Sequence, residues 1–155
     1  MIKGINYIGV GVGAIILNRE GKALLAKRGR KSQNEKGRWS YPGGGLRFGE
    51  AFEDCVRREM KEEFNIEVEP VEQLGTVNHI IPHDKQHWVA VAYICKLIKG
   101  TPIIQEPEKE QQIEWFTIEE TEKLPLTSIA EIRLKQLKEK YPNGLPNLYK
   151  KISSR

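Results

Sequence analysis

Glu59, Glu62 and Glu63 stand where an amphipathic helix should be apolar. Taking Glu50 as the start and advancing about 100° per residue, Ala51, Phe52, Cys55, Val56, Met60 and Phe64 fall on one broad arc. Glu53, Asp54, Arg57 and Lys61 fall on or beside the opposite arc, and the three glutamates fall inside the apolar one. Carboxylates gathered at i, i+3 and i+4 repel one another, and burying them unpaired is costly. A cation must sit between them. Hard oxygen ligands suit Mg²⁺ or Mn²⁺, and Mg²⁺ is held by a few carboxylates together with waters and substrate phosphates. The helix is therefore read as a holder for a phosphate-bound metal.

The flanking residues make the reading specific. Gly44, five residues, Glu50, seven residues and then Arg58-Glu59-Met60-Lys61-Glu62-Glu63-Phe64-Asn65-Ile66 resembles the Nudix box, residues 44 to 66 here. One position departs: the family's glycine near the end is Asn65, which tolerates the left-handed backbone best after glycine. The resemblance implies an α/β/α Nudix sandwich with a mixed β-sheet, and a hydrolase for nucleoside diphosphates linked to another moiety. It implies Mg²⁺ (or Mn²⁺) as cofactor, with Gly43, Glu50, Glu59, Glu62 and Glu63 as the metal set. Gly43 would contribute its carbonyl and Glu50 would support the site or a further ion. Arg58 would ion-pair with a box carboxylate and orient it. An acidic residue from outside the box is expected from Glu106-Pro107-Glu108-Lys109-Glu110, with Glu108 first and Glu110 second. Arg28, Gly43, Gly44 and Gly45 are the expected substrate-binding residues.

Within the family, Gly11-Val12-Gly13-Ala14, Leu24-Leu25-Ala26-Lys27-Arg28, Leu46-Arg47-Phe48-Gly49-Glu50 and Glu106-Pro107-Glu108-Lys109 look like MutT-type nucleoside-triphosphate diphosphatases of the mammalian MutT-homologue kind. Gly45 stands where that branch can carry a histidine. The implied reaction is NTP or dNTP plus water to NMP plus pyrophosphate. Three rivals remain: ADP-ribose hydrolysis, on the single proline Pro82 sixteen residues after the box; a silent nucleotide sensor, which would usually lose box glutamates; and RNA cap removal, on basic charge alone.

The elements that must position these groups follow from the pattern. With 155 residues, 39% hydrophobic and 30% charged, the chain suits one soluble domain, residues 1–155. It has neither an apolar run of about 18 residues nor a signal peptide, and its two cysteines suit a reducing, cytoplasmic setting. Net charge is +4, with Lys22, Lys27, Arg28, Arg30, Lys31, Lys36 and Arg38 crowded before the box. Beside a metal-phosphate site these would attract a nucleotide. No RNA- or DNA-binding motif accompanies them, so nucleic acid is not an expected partner. No membrane partner is expected either; relatives often form homodimers, and no sequence feature decides that here.

Tyr7 to Asn18 and Lys22 to Arg28 read as strands around a turn, followed by a polar, mobile loop to Arg38. The box helix spans about Glu50 to Phe64. Strands follow at Glu67–Ile81 and Gln86–Leu97, joined at Pro82, then a loop from Pro102 to Gln112 and a short strand at Ile113–Phe116. A brief helix fits Ile118–Lys123. A longer one fits about 128–141, with Ser128 and Glu131 as a capping box and a loosely held tail to Arg155. Gly9-Val10-Gly11-Val12-Gly13-Ala14 loosely matches a dinucleotide fingerprint but continues into a strand, so its glycines are read as a bare strand face. His79, His83 and His87 would make a zinc face only on a helix, which Pro82 argues against. Trp88, Tyr93 and Trp115 are expected in the core, with one free to face a nucleoside.

Overall fold

A computed structural model describes residues 1–32 and 35–150. Within it lie strands β1 (Gly9–Leu17), β2 (Ala23–Arg28), β3 (Trp39–Ser40), β4 (Gly43–Gly45), β5 (Glu67–Ile81), β6 (Gln86–Lys99) and β7 (Glu110–Phe116). The helices are α1 (Phe52–Phe64), α2 (Ile118–Glu122) and α3 (Ser128–Lys140). One mixed sheet runs in the order β3-β2-β1-β6-β5, with β4 added to β1 and β7 to β2. The β1–β6 pair is parallel, from Gly9↔Trp88 to Leu17↔Lys96.

Strand alternation assigns the two faces. Val12, Ala14 and Ile16 pack under α1 with Cys55, Val56, Met60 and Phe64. Ile15 and Leu17 pack on the opposite face with Ile118 of α2 and Ala130, Leu134 and Leu137 of α3. Each fully buried side chain of this size contributes about 1.5–3 kcal/mol. The α/β/α sandwich is as expected.

The sheet forks, and the fork makes the site. β2 meets β1 only at Leu17↔Ala23 before diverging to pair with β7 and β3. The edge of β1 that it leaves open is taken by β4, from Gly11↔Gly45 to Gly13↔Gly43. A side chain at Gly43 would strike the Val12 carbonyl, an added Cβ falling 2.7 Å from that oxygen. α1 ends at Asn65, whose φ of 54° is left-handed as anticipated.

Several local expectations are corrected. β7 begins at Glu110 instead of Ile113, because Gln112 and Glu110 pair with Lys27 and Arg28 of β2. The cap of α3 is Thr127, whose hydroxyl accepts from the Ala130 N–H at 3.2 Å, and not a Ser128–Glu131 box. The polar loop is tied down in its described part: Gly29 and Lys31 N–H groups donate to the Lys109 and Glu108 carbonyls at 2.7 and 3.1 Å. The tail is anchored as far as Tyr149, whose hydroxyl reaches the Leu17 and Leu97 carbonyls at 2.9 and 2.8 Å. Residues 151–155 of that tail lie outside the described residues. No helix among the described residues is long and apolar enough to cross a membrane.

Candidate functional site

Arg58 is the hub of the box. Its Nε and Nη2 grip Glu50 at 2.7 and 2.9 Å, and Nη1 donates to Glu59 at 2.7 Å and to Glu62 at 3.3 Å. Nη2 also donates to the Gly45 carbonyl at 3.1 Å, so five N–H donors meet five oxygens. A planar, always-charged fork is the only side chain that can do this. The Arg58 hydrogen bonds, reinforced by the Arg47 N–H at 3.1 Å, hold the Glu50 carboxyl at about 2. Glu50 and Glu59 raise the Arg58 guanidinium in return.

Glu63 sits deeper. Burial, then the neighbouring Glu110 and Glu59 carboxyls, push it far above the usual carboxylate range, and it is hydrogen-bonded to both. Burial also raises Glu110, whose Oε2 is buried with no hydrogen-bond partner. Among the described residues no three carboxylates or imidazoles already converge on one point. What the fold holds is a carboxyl chain, Glu110–Glu63–Glu59, joined through Glu63. An orphaned buried acceptor among mutually repelling carboxyls fits a hard dication, whose charge would offset their repulsion. β4 lets Glu59 lie directly against its backbone: an added Cβ on Gly44 would fall inside the Glu59 carboxylate.

On the other face of β4 lies a cleft of about 280 Å³. Its floor is Gly11, Gly13 and Gly43–Gly45, and its walls include Tyr41, Trp88, His79 and the start of α3. Arg28 lines it and feels the Glu35, Glu110 and Glu63 charges. Glu35, at a left-handed φ of 47°, accepts from the Ser128 N–H at 2.9 Å and so latches the loop onto α3. His79 Nε2 lies 3.0 Å from the Ser128 hydroxyl, and burial lowers its pKa.

The NUDIX domain model matches residues 8–137. The chain belongs to this family. It is 30% identical over 144 residues to Nudix hydrolase 5 of Arabidopsis thaliana, covering 85% of this chain and 47% of the relative. It is likewise 30% identical over 111 residues to the NAD-capped RNA hydrolase NudC of Pseudomonas aeruginosa, covering 72% of this chain and 37% of the relative. The chain thus spans less than half the length of these curated relatives. Among solved structures, a MutT NUDIX hydrolase from Burkholderia pseudomallei superposes with a TM-score of 0.77 at 36% identity, over 85% of this chain and 99% of that one. The MutT protein of Methanosarcina mazei shares the fold at a TM-score of 0.75 and 22% identity, over 86% and 94%.

The fold gathers most of the anticipated residues and separates others. Glu50, Arg58, Glu59 and Glu63 come together beside Gly43, Gly44 and Gly45. Glu62 does not join the buried set: its side chain is 51% exposed and its other partner is Arg47 at 3.7 Å. On the wheel it falls just past Cys55 at the arc's edge, whereas Glu63 falls mid-arc. Glu108 is drawn away as well, 54% exposed and paired with Lys31 at 2.9 Å. Gly29 allows the Glu108 backbone to approach so closely that an added Cβ would clash with its carbonyl. Glu110, the second choice, is the acidic residue that reaches Glu63. Of the histidines only His79 lines the cleft; His83 is exposed, and His87 bonds Asn78 at 2.6 Å. Of Trp88, Tyr93 and Trp115, Trp88 lines the cleft, while Tyr93 and Trp115 pack on the α1 side. Sequence reasoning missed Glu35, and the acidic residue amid basic loop residues was its only local signal.

Proposed function

We propose that the protein hydrolyses nucleoside triphosphates, ribo or deoxy and including modified bases, to the monophosphate and pyrophosphate with Mg²⁺ or Mn²⁺. The observation that carries this is the Glu59–Glu63–Glu110 carboxyl chain set against a side-chain-free glycine strand at the side of a nucleoside-sized cleft. A bound dication supplies charge neutralisation for the phosphates and a more acidic water. Glu59, Glu63 and the Gly43 carbonyl are the ligands we assign, with Glu110 as the acid from outside the box in place of Glu108. Arg58 fixes the Glu59 rotamer and holds Glu50 as its counter-charge, so that the carboxylates are oriented before substrate arrives. Glu62, at the exposed edge, supports from the same guanidinium.

Gly44 brings the Glu59 carboxylate against the β4 backbone that lines the cleft, and Arg28 offers a cation from the β2 side. In the hydrolytic step the water oxygen bonds to phosphorus at the α–β bridge. The bridging P–O bond breaks with its electron pair leaving on oxygen, and Glu63 or Glu110 accepts the water proton. The nucleoside lies against Trp88 and the start of α3. Pro82 opens the turn between β5 and β6 at a position that proline favours, so it lends ADP-ribose no special support.

The test is a hydrolysis panel with Mg²⁺ and Mn²⁺ over canonical and oxidised dNTPs, NTPs, ADP-ribose, dinucleoside polyphosphates, and triphosphate- and NAD-capped RNA. Monophosphate plus pyrophosphate from a triphosphate is expected. Preferential release of AMP and ribose phosphate from ADP-ribose, decapping alone, or silence across the panel would each overturn the proposal.

A further inference from the structure

Lys3 stands over the glycine strand from outside it. Gly45 pairs with Gly11, and Gly9 precedes it on the same face of β1, so this end of the cleft floor carries no side chains of its own. The Lys3 stem fills the space: an added Cβ on Gly9 would fall 2.9 Å from its Cγ. Its Nζ donates to the Leu46 carbonyl at 2.8 Å and lies 3.5 Å from where a Gly45 Cβ would be. Consecutive carbonyls are thus held by two cations, Gly45 by Arg58 on the helix side and Leu46 by Lys3 on the other.

The segment that delivers Lys3 is built for the purpose. Gly4, at φ 79°, turns the chain, and its N–H bonds the Tyr7 carbonyl at 2.7 Å. The Asn6 N–H returns to the Ile2 carbonyl at 2.8 Å, and Asn6 Oδ1 accepts from the Ile2 N–H at 2.7 Å. The knot is fastened to β6 by the His87 N–H on the Gly4 carbonyl at 2.8 Å. The Trp88 indole closes over it so tightly that a side chain on Gly4 or Gly9 would strike the ring. Lys3 is half-buried, and among the described residues its ammonium bonds one carbonyl and pairs with no carboxylate. Two of its three donors are left beside a bare floor.

We infer that Lys3 binds phosphate oxygens of the substrate where the phosphate chain crosses Gly44–Gly45 toward the Glu59 carboxylate. This rests on the reading of the cleft as a nucleotide site. Gly45 and Lys3 form one device: the ammonium stands at ordinary contact distance, 3.5 Å, from where a Gly45 Cβ would be, so the cation that strand β4 lacks arrives from the N-terminal segment. With Arg28 on the opposite side, two positive groups flank the floor.

The experiment compares Lys3→Met, which keeps the stem and removes the charge, with Lys3→Arg and with the double variant Lys3→Met, Gly45→Lys. Steady-state constants on the hydrolysed nucleotide are read beside the calorimetric Kd for inorganic tripolyphosphate, taken without metal. Lys3→Met is expected to raise both KM and that Kd roughly tenfold, the scale of one charge-assisted hydrogen bond, with kcat changed by less than about threefold. Lys3→Arg and the double variant are expected to recover most of the loss. An unchanged KM and Kd overturns the inference. So does a fall in kcat or melting temperature with an unchanged tripolyphosphate Kd, because Lys3 would then only tether Leu46. Silence of the wild type on every nucleotide, with tripolyphosphate binding that still needs Lys3, overturns the hydrolase reading and keeps the anion site.

Discussion

Arg58→Lys conserves charge and removes geometry, so it isolates what the guanidinium hub does. Four of the five bonds are to sheltered oxygens: Glu50 at 2.7 and 2.9 Å, Glu59 at 2.7 Å and the Gly45 carbonyl at 3.1 Å. The fifth, to half-exposed Glu62, contributes little. An ammonium donates from a single atom and can keep about two of the four. Losing two charge-assisted bonds at about 1.5 kcal/mol each predicts a loss of about 3 kcal/mol. For a chain of this length that lowers the melting temperature by roughly 6–12 °C.

The pH dependence gives a second, independent reading. Arg58 lowers Glu50 in the fold from 4.5 to about 2, so its contribution is complete above the unfolded value and is lost as pH falls from about 4.5 toward 2. A lowering of that size is worth at most about 3.4 kcal/mol, and solvent near the helix start trims it to about 2. Urea titrations of both proteins in chelator, from pH 7 down to pH 3, are the assay. The stability gap should be widest at neutral pH and narrow below about pH 4.5. A variant within about 0.5 kcal/mol of wild type at pH 7, or a gap that does not change with pH, would refute the reasoning.

Glu110→Gln should cut turnover at least about a hundredfold, while Glu108→Gln stays within about twofold, as steady-state kinetics would show. In chelator the Glu110→Gln protein should melt no lower than wild type, because an amide can donate to Glu63 and relieve the crowded carboxyls. Gly44→Ala places a methyl group in the Glu59 carboxylate and should lower kcat at least about tenfold with the secondary structure retained by circular dichroism; full activity would show that Glu59 need not occupy that position.

How much of this was legible in the sequence depended on how local the cause was. The box helix, its left-handed end at Asn65, the β5–β6 hairpin and the bare face of β1 all follow from spacing along one element. An ion pair of Arg58 with a box carboxylate was implied by the family resemblance, whereas its partners Glu50 and Glu59 are set by the loop and helix that they share. Glu62, read inside the apolar arc, lies at its exposed edge because a wheel counts angles without knowing where the neighbouring layer stops. The cap of α3 slipped by one residue because Thr127 and Ser128 are both good caps, and only the packing with His79 and Glu35 chose between them. The acidic residue from outside the box depended on β7 pairing with β2 across some eighty residues of chain, and the delivery of Lys3 on Gly4 packing under Trp88. Sequence alone set the chemistry, since carboxylates on a buried helix face demand a cation wherever they lie. Tertiary structure decided which acid and which lysine meet them, because strand partners and close backbone approaches are fixed by residues far apart in the chain.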